Sequence, residues 1–307
     1  MPTIDNNNRN TRKSLEITTM IGCPVLCTYC PQDTLLTNYK DPVRRLTLEN
    51  FKLILDKLPL DVQISFAGYS EPWANNLCNQ FVKLALARGY YISIFTTLYP
   101  MTVAQAEKLA NLLEQYSEQI IRVWIHLPDI NNNMPGFRYS DEYEQVLRTI
   151  KSVSNKVLIR EMTMDSESRV DARIVIPVNP QKDWHSNNRA DNLNLSNIKG
   201  QKINIAPRHK CPVECVRTKH YHDNVLLPNG DVTLCTMDYG LKHIIGNLLT
   251  QSYEEILNGE PLQEIVALNQ QEGFSNSTLC RTCTDAFCSK DAAHYTHPDP
   301  NRKIKLT

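Results

Sequence analysis

Residues 14–162 alternate between two spacings of apolar and polar positions. Short runs rich in β-branched residues read as strands at 15–21 (Leu-Glu-Ile-Thr-Thr-Met-Ile), 62–66, 91–95, 121–127 and 157–162. Between them, apolar residues recur three and four apart. Leu48, Phe51, Leu55 and Leu58 mark one face of a helix over 47–58. A second helix is predicted over 75–88, capped by Asn75 and stopped by Gly89. A third spans 102–116, opened by the capping box Thr102-Val-Ala-Gln105, and a fourth spans 139–153. A sixth strand is expected at 174–178. Strands alternating with helices imply βαβ units on a parallel sheet, joined by right-handed crossovers. The expected fold is α/β: a partial (β/α)6 TIM-like barrel, since six units fit the length better than eight.

The pattern breaks over 181–206, a polar stretch rich in Asn. Beyond it, 224–227 and 232–235 read as a β-hairpin around Pro228-Asn229-Gly230-Asp231. Ser252-Tyr-Glu-Glu255 is a capping box for a short helix that stops at Gly259. The expected organisation is a flexible N-terminus (1–13), a barrel (14–200), a small C-terminal β-hairpin/helix domain (201–292) and a tail (293–307).

Composition narrows the function. The 33 basic and 33 acidic residues cancel, which argues against nucleic acid as a partner. The chain has no apolar run of membrane-spanning length and no apolar targeting segment near Met1, so a cytoplasmic protein without a membrane partner is expected. Ten cysteines in such a chain point to metal or redox chemistry rather than to disulfide staples. They fall at 23, 27, 30, 78, 211, 215, 235, 280, 283 and 288.

Cys23-Pro-Val-Leu-Cys27-Thr-Tyr-Cys30 is a C-x3-C-x2-C run directly after the first strand. Three thiolates so close can surround one metal centre but leave a four-ligand centre one short. A zinc knuckle completed by a distant His or Cys is one reading. A four-iron cluster with one iron open is the other.

This run, with an aromatic before its last cysteine and its place after the first strand of an α/β barrel, resembles the radical S-adenosylmethionine (SAM) superfamily. The resemblance implies that Cys23, Cys27 and Cys30 hold a [4Fe–4S] cluster. The open iron would bind SAM, and one-electron reduction would release a 5′-deoxyadenosyl radical that abstracts hydrogen from substrate. Phe66-Ala-Gly68-Tyr-Ser70-Glu71-Pro72 is similar to that family's Gly-Gly-Glu-Pro motif, with Ser70 where Gly is usual. It implies that Gly68, Ser70 and Glu71 bind the methionine amino group, and a carboxylate suits an ammonium. Thr96 and Thr97 end the third strand, where relatives contact the cofactor's ribose or carboxylate. Tyr29 is a candidate neighbour of the adenine.

The later cysteines form C-x14-G-x4-C (Cys215, Gly230, Cys235), then Ile245-Gly246-Asn247-Leu248, a helix and C-x2-C (Cys280, Cys283). Zinc is the generic reading; the order is similar to the SPASM/twitch extensions of the same superfamily. That resemblance implies one auxiliary [4Fe–4S] cluster on Cys215, Cys235, Cys280 and Cys283. Cys211 is an alternative to Cys215, Cys288 is a relic of a longer form or part of an incomplete second site, and Cys78 belongs to the core. Asn188-Arg189-Ala-Asp191-Asn192 is similar to an Asn-Arg-Ala-Gly-Asn stretch in related extensions. Arg189 is thereby a candidate for substrate binding, with Arg160 a second catalytic candidate.

The function expected is a radical SAM oxidoreductase, a dehydrogenase or epimerase. Its substrate is expected to be a small carbohydrate-like molecule: a sugar, aminocyclitol or nucleotide sugar. Flavodoxin or ferredoxin would donate the electron. Only about fourteen residues precede the first strand, too few for a leader-binding domain, and this favours a small molecule over a peptide. A peptide- or protein-modifying maturase of the same superfamily is the alternative, and a zinc-stabilised binding module is the alternative of another class.

Overall fold

Five parallel strands follow one another along the sheet, and the chain's last third extends the same sheet past β1. This is a computed structural model, and it describes residues 13–163, 170, 188–193, 207–218 and 220–294. The elements are β1 (Ser14–Ile17), α1 (Gln32–Asn38), α2 (Leu48–Asp56), β2 (Gln63–Phe66), α3 (Cys78–Ala87), β3 (Ile92–Thr96), α4 (Val103–Gln115), β4 (Ile120–His126), α5 (Asp141–Lys151) and β5 (Ile159–Met162). There follow β6 (Val213–Cys215), β7 (Asp223–Leu226), β8 (Asp231–Thr233), β9 (Ile244–Asn247), α6 (Tyr253–Leu257), α7 (Glu260–Asn269) and β10 (Ala286–Cys288). The main sheet runs β5-β4-β3-β2-β1-β7-β8-β9, and β6 pairs with β10 in a separate ladder. The parallel-dominated α/β architecture of a partial barrel is thus present. The expected sixth strand lies outside the described residues.

The two faces of the sheet differ. On the outer face Phe66 packs near Phe51 of α2, centroids 6.3 Å apart, and Phe51 lies 5.1 Å from Phe81 of α3. Cys78 is fully buried in this layer, as a core residue should be. Side chains alternate along a strand, and the inner face is polar. Gln63 Nε2 donates to Ser93 Oγ at 2.7 Å and to Ser65 Oγ at 3.4 Å. Glu16 is in register with Ser65, Ser93 with Arg122, Phe95 with Trp124, and Trp124 with Arg160. A purely structural sheet would fill this side with apolar groups, so its polarity marks it as the working face.

The capping box at Thr102 opens α4 as expected, and Ser252 does the same for α6. Three elements differ from expectation. α1 has no clear sequence period and was not anticipated. β1 ends at Ile17, short of the expected Ile21, with the Thr18 amide making the last bond to β7 at the Leu226 carbonyl. Asn75 lies outside α3, which begins at Cys78: its Oδ1 accepts from the Leu77 amide at 3.1 Å, and its Nδ2 donates to the Thr19 and Leu46 carbonyls at 2.9 and 3.0 Å, tying β1's exit to the loop before α2. Among the described residues no helix is long and apolar enough to cross a membrane.

β7 joins the C-terminal segment to the barrel directly. It pairs in parallel with β1, Ser14 against Asp223 through Ile17 against Leu226. Lys57 Nζ donates to the Leu249 carbonyl at 2.6 Å on the far side. The C-terminal segment therefore continues the barrel's own sheet, and the expected boundary near 200 lies outside the described residues.

Candidate active site and its two cysteine centres

The three-cysteine loop leaves β1 and lies on a cradle made by residues 129–137. Thr28 donates through its amide to the Asn133 carbonyl and through its hydroxyl to Asn133 Oδ1, both at 2.9 Å. The Gly136 amide donates to the Val25 carbonyl at 2.9 Å, and a Cβ on Gly136 would lie 2.8 Å from that oxygen, so the approach requires glycine. The cysteines are partly exposed and the loop's tip, Leu26, is open to solvent. Tyr29 is buried with its hydroxyl toward Cys27.

The loop after β2 reaches this site from the side. Gly68 has φ +72°, and a Cβ there would sit against the Thr18 hydroxyl and 2.8 Å from the Thr18 amide nitrogen. Its own amide donates to Glu16 Oε2 at 3.2 Å. The Glu71 amide then donates to Cys23 Sγ at 3.3 Å. Glu71's carboxylate accepts from the Thr97 amide at 2.7 Å, the Thr97 hydroxyl at 2.8 Å and the Thr96 hydroxyl. The two threonines thus serve Glu71 rather than standing free at the strand end. Burial pushes the Glu71 carboxyl up to about 7, against the pull of these donors. The Ser70 hydroxyl is buried with no partner among the described residues.

We predict that G68A loses on the order of 2 kcal/mol of stability, because alanine meets both an unfavourable φ and backbone contact with Thr18. Denaturant melts of G68A beside G89A, where open space surrounds the site, check this: only G68A should show the steric part of the loss.

The second centre forms where β6, the turn after β8 and the 279–283 turn converge. Cys215, Cys235, Cys280 and Cys283 lie close together: the first three all raise the Cys283 thiol, and Cys215 and Cys280 raise that of Cys235. Amides of Arg217 and Asp285 donate to Cys215 and Cys283 Sγ at 3.4 and 3.3 Å. Burial raises the Cys215 thiol to about 11 and the Cys280 thiol to about 12. At Cys23 burial likewise raises the thiol to about 12. Thiolates at such places need a cation beside them.

Cys211 and Cys288 do not join either group. They form a disulfide with Cα atoms 5.6 Å apart, a normal span for the bond. In this structure Cys211 therefore does not take the place of Cys215, and the pair is a staple where none was expected. The β6–β10 ladder sets Cys288 against Val213, two residues from Cys211, which brings the pair together.

Two tyrosines link the centres. Tyr69, from the Gly68 loop, donates to the Cys235 carbonyl at 2.8 Å. Tyr239, four residues after Cys235, reaches back to Cys30 Sγ at 3.7 Å, and the two rings lie 4.5 Å apart. Arg189 sits over the Tyr239 ring at 5.7 Å. Its charge acts on Cys30, Glu16 and His126, which places it at the inner face between the two centres. Arg189, Ala190 and Asp191 all have left-handed φ, 48°, 52° and 71°. Asp tolerates this where a related stretch has Gly. Asn188 holds the turn: it donates to the Thr282 carbonyl at 2.8 Å and accepts from Ala190 at 3.1 Å. Arg160 is not brought to this point. It is exposed on β5, in line with Trp124.

Sequence reasoning missed a charge cluster on the inner face. Arg217 pairs with Asp223 at 3.3 Å and with Glu16 and Asp285 at 3.9 Å. Burial, then Asp223, push Glu16 up to about 7, while Arg217 and the Gly68 amide restrain it. Burial, then Arg189's charge, hold His126 down near 4. The one available signal was an acid at position 16 inside an otherwise apolar and β-branched strand.

Because Glu16 titrates higher folded than its ordinary 4.5, its ionisation opposes folding. The penalty is absent below both values and complete above about pH 7. E16Q, which mimics the neutral acid, should therefore be the more stable protein at pH 8, by at most about 3 kcal/mol. The advantage should shrink at pH 5.5, as read by denaturant melts at both pH values.

Residues 215–284 match the SPASM family model, an iron–sulfur cluster-binding domain. The match includes Cys215, Cys235, Cys280 and Cys283 and leaves out Cys211 and Cys288. No curated protein sequence matches the chain. Among solved structures it is similar to BtrN in complex with AdoMet and 2-DOIA: 16% identity, 89% of this chain and 93% of that one, TM-score 0.56. It is similar to anSMEcpe with bound AdoMet: 14% identity, 95% and 88% coverage, TM-score 0.52. It is also similar to Streptococcus suis SuiB bound to the precursor peptide SuiA: 14% identity, 94% and 74% coverage, TM-score 0.54.

The residues present fit the cofactors that this fold and domain imply. Soft thiol donors gather in a three and a four, each near amides that donate to sulfur. Beside the three lie a buried carboxylate and an unpartnered buried hydroxyl, Glu71 and Ser70, suited to an ammonium and a polar cofactor edge. The chain thus has the fold of the radical S-adenosylmethionine enzymes and carries a SPASM/twitch-type iron–sulfur domain in its C-terminal third.

Proposed function

We propose that the chain is a radical SAM oxidoreductase, of dehydrogenase or epimerase type, acting on a small carbohydrate-like molecule held against the polar inner face. The observation that carries the reading is that face: Glu16, Gln63, Ser65, Ser93, Arg122 and Trp124 share it, and Arg189 stands at its end between the two cysteine centres. Trp124 Nε1 is buried there without a partner among the described residues, a donor ready for a ligand oxygen. Such a surface suits a substrate dense in hydroxyl and amino groups.

Cys23, Cys27 and Cys30 hold the SAM-binding cluster, and Cys215, Cys235, Cys280 and Cys283 the auxiliary one. When bound, these groups supply hydrogen-atom abstraction and an acceptor for the electron left on the substrate. Glu71, oriented by Thr96 and Thr97, would receive the methionine ammonium, with Gly68 and Ser70 completing the rim and Tyr29 the candidate neighbour of the adenine. Arg189 binds substrate through its permanent charge, and Arg160 lies at the periphery of the same face. A flavodoxin- or ferredoxin-type protein donates the electron.

R189Q should raise KM for substrate by roughly tenfold or more while leaving substrate-free SAM cleavage near the wild-type rate. The reading as a whole is tested by anaerobic incubation with reductant, SAM and deuterated candidates. Sugars, aminocyclitols and nucleotide sugars form one set and short peptides the other. Deuterium in 5′-deoxyadenosine from the first set alone supports it. Transfer from peptides alone sinks it in favour of a maturase, a reading that the likeness to SuiB with its precursor peptide keeps in view.

A further inference from the structure

Ligand atoms of His209, Cys211 and Cys288 all lie within 4.8 Å of one another, and none of the three is among the proposed cluster ligands. We propose that these residues form a separate, redox-gated site for one thiophilic divalent cation, with zinc as its occupant. The two sulfurs are joined in the structure, so the site is closed while the bond is intact.

The backbone holds the three residues in place without help from that bond. The β6–β10 ladder sets Cys288 opposite Val213, and the Ser289 amide donates to the Pro212 carbonyl at 2.8 Å. The His209 amide donates to the Arg281 carbonyl at 3.0 Å, and the Arg281 guanidinium returns to the Cys211 carbonyl. A ring nitrogen of His209 lies 3.4 Å from the Cys283 carbonyl, which orients the imidazole. Opening the bond therefore leaves two sulfurs and one ring already gathered. Two thiolates and an imidazole are a zinc donor set, with a water molecule for the fourth tetrahedral position.

The opening step balances as thiol–disulfide exchange. A dithiol reductant passes two electrons and two protons to the Cys211–Cys288 bond and becomes a disulfide itself. Zinc then displaces the two thiol protons as it binds. The reducing environment expected for an oxygen-sensitive enzyme favours the open state.

The test uses full-length protein with its iron in place, reduced by dithiothreitol, desalted anaerobically and dialysed against zinc. Reduced wild type should retain about one more zinc than the C211S/C288S double variant, with iron equal in the two. Unreduced wild type should match the double variant, and H209Q should weaken zinc binding by roughly tenfold or more. A circular-dichroism melt confirms that each variant is folded, and H209Q, which leaves both cysteines in place, serves as the independent check. The proposal is overturned if reduced wild type takes up no extra zinc or if the double variant binds it equally. Iron loss in the double variant also overturns it, because these cysteines would then be cluster ligands.

Discussion

Replacing Cys23, Cys27 and Cys30 together by alanine is expected to abolish SAM cleavage while leaving a folded protein with about half its iron. The loop's fold does not depend on its thiols: the Asn133 and Gly136 backbone contacts brace it, and all three cysteines are partly exposed. The auxiliary thiols come from β6, the turn after β8 and the 279–283 turn, none of which uses this loop for its backbone bonds. About four of about eight irons should therefore remain. Anaerobic iron and sulfide analysis with circular dichroism checks the outcome. A protein that lost all its iron but kept its fold would show that the second centre is not independent. The reciprocal tyrosine contacts, Tyr69 to Cys235 and Tyr239 to Cys30, are the route by which that dependence would arise.

R281M should collapse the C-terminal centre. Arg281 is 1% exposed, and among the described residues no carboxylate pairs with it. Its guanidinium instead donates to the carbonyls of Leu268 at 2.9 Å and Gln271 at 2.6 Å, with longer bonds to Asn269 and His209 and a further one to Cys211. It thereby binds the end of α7 to the strand-leading segment 209–211, with its charge toward the helix's negative terminus. Methionine fills a similar volume but leaves these buried carbonyls without donors. At roughly 1–3 kcal/mol for each buried group left unsatisfied, the loss should exceed about 3 kcal/mol even if water reaches some of them. The expected result is a protein that keeps its first centre and loses the second, visible as a drop in iron and an early unfolding transition. Wild-type iron content and a single transition in R281M would show that the carbonyls find other donors.

What the sequence made legible was local. Apolar spacing located the barrel helices and strands because each buries one face within its own span, and the capping boxes at Thr102 and Ser252 act within four residues. The cysteine motifs were legible because ligand spacing in a loop is itself local. The missing parts are contacts between distant segments. Glu16 meets Arg217 only because β7 returns to β1, and nothing near position 16 announces that partner. Nothing near Thr96 and Thr97 shows that Glu71, from the loop after β2, accepts from both hydroxyls. Asn75 suits a helix cap, and its Oδ1 accepts from the Leu77 amide, but α3 begins only at Cys78, and the Nδ2 bonds to the Thr19 and Leu46 carbonyls join segments that no local pattern relates. The Cys211–Cys288 pair was hidden for the same reason, its members being 77 residues apart.

Two separate four-iron centres in one chain, only the first of them open to SAM, are the core of the proposed function. Electron paramagnetic resonance of the anaerobically reduced wild-type protein, recorded with and without SAM beside metal and sulfide analysis, tests it most directly. The expected result is about eight irons and eight sulfides per chain and two reduced-cluster signals, of which SAM changes one. Bound zinc without sulfide, or two signals that SAM leaves unchanged, would contradict it.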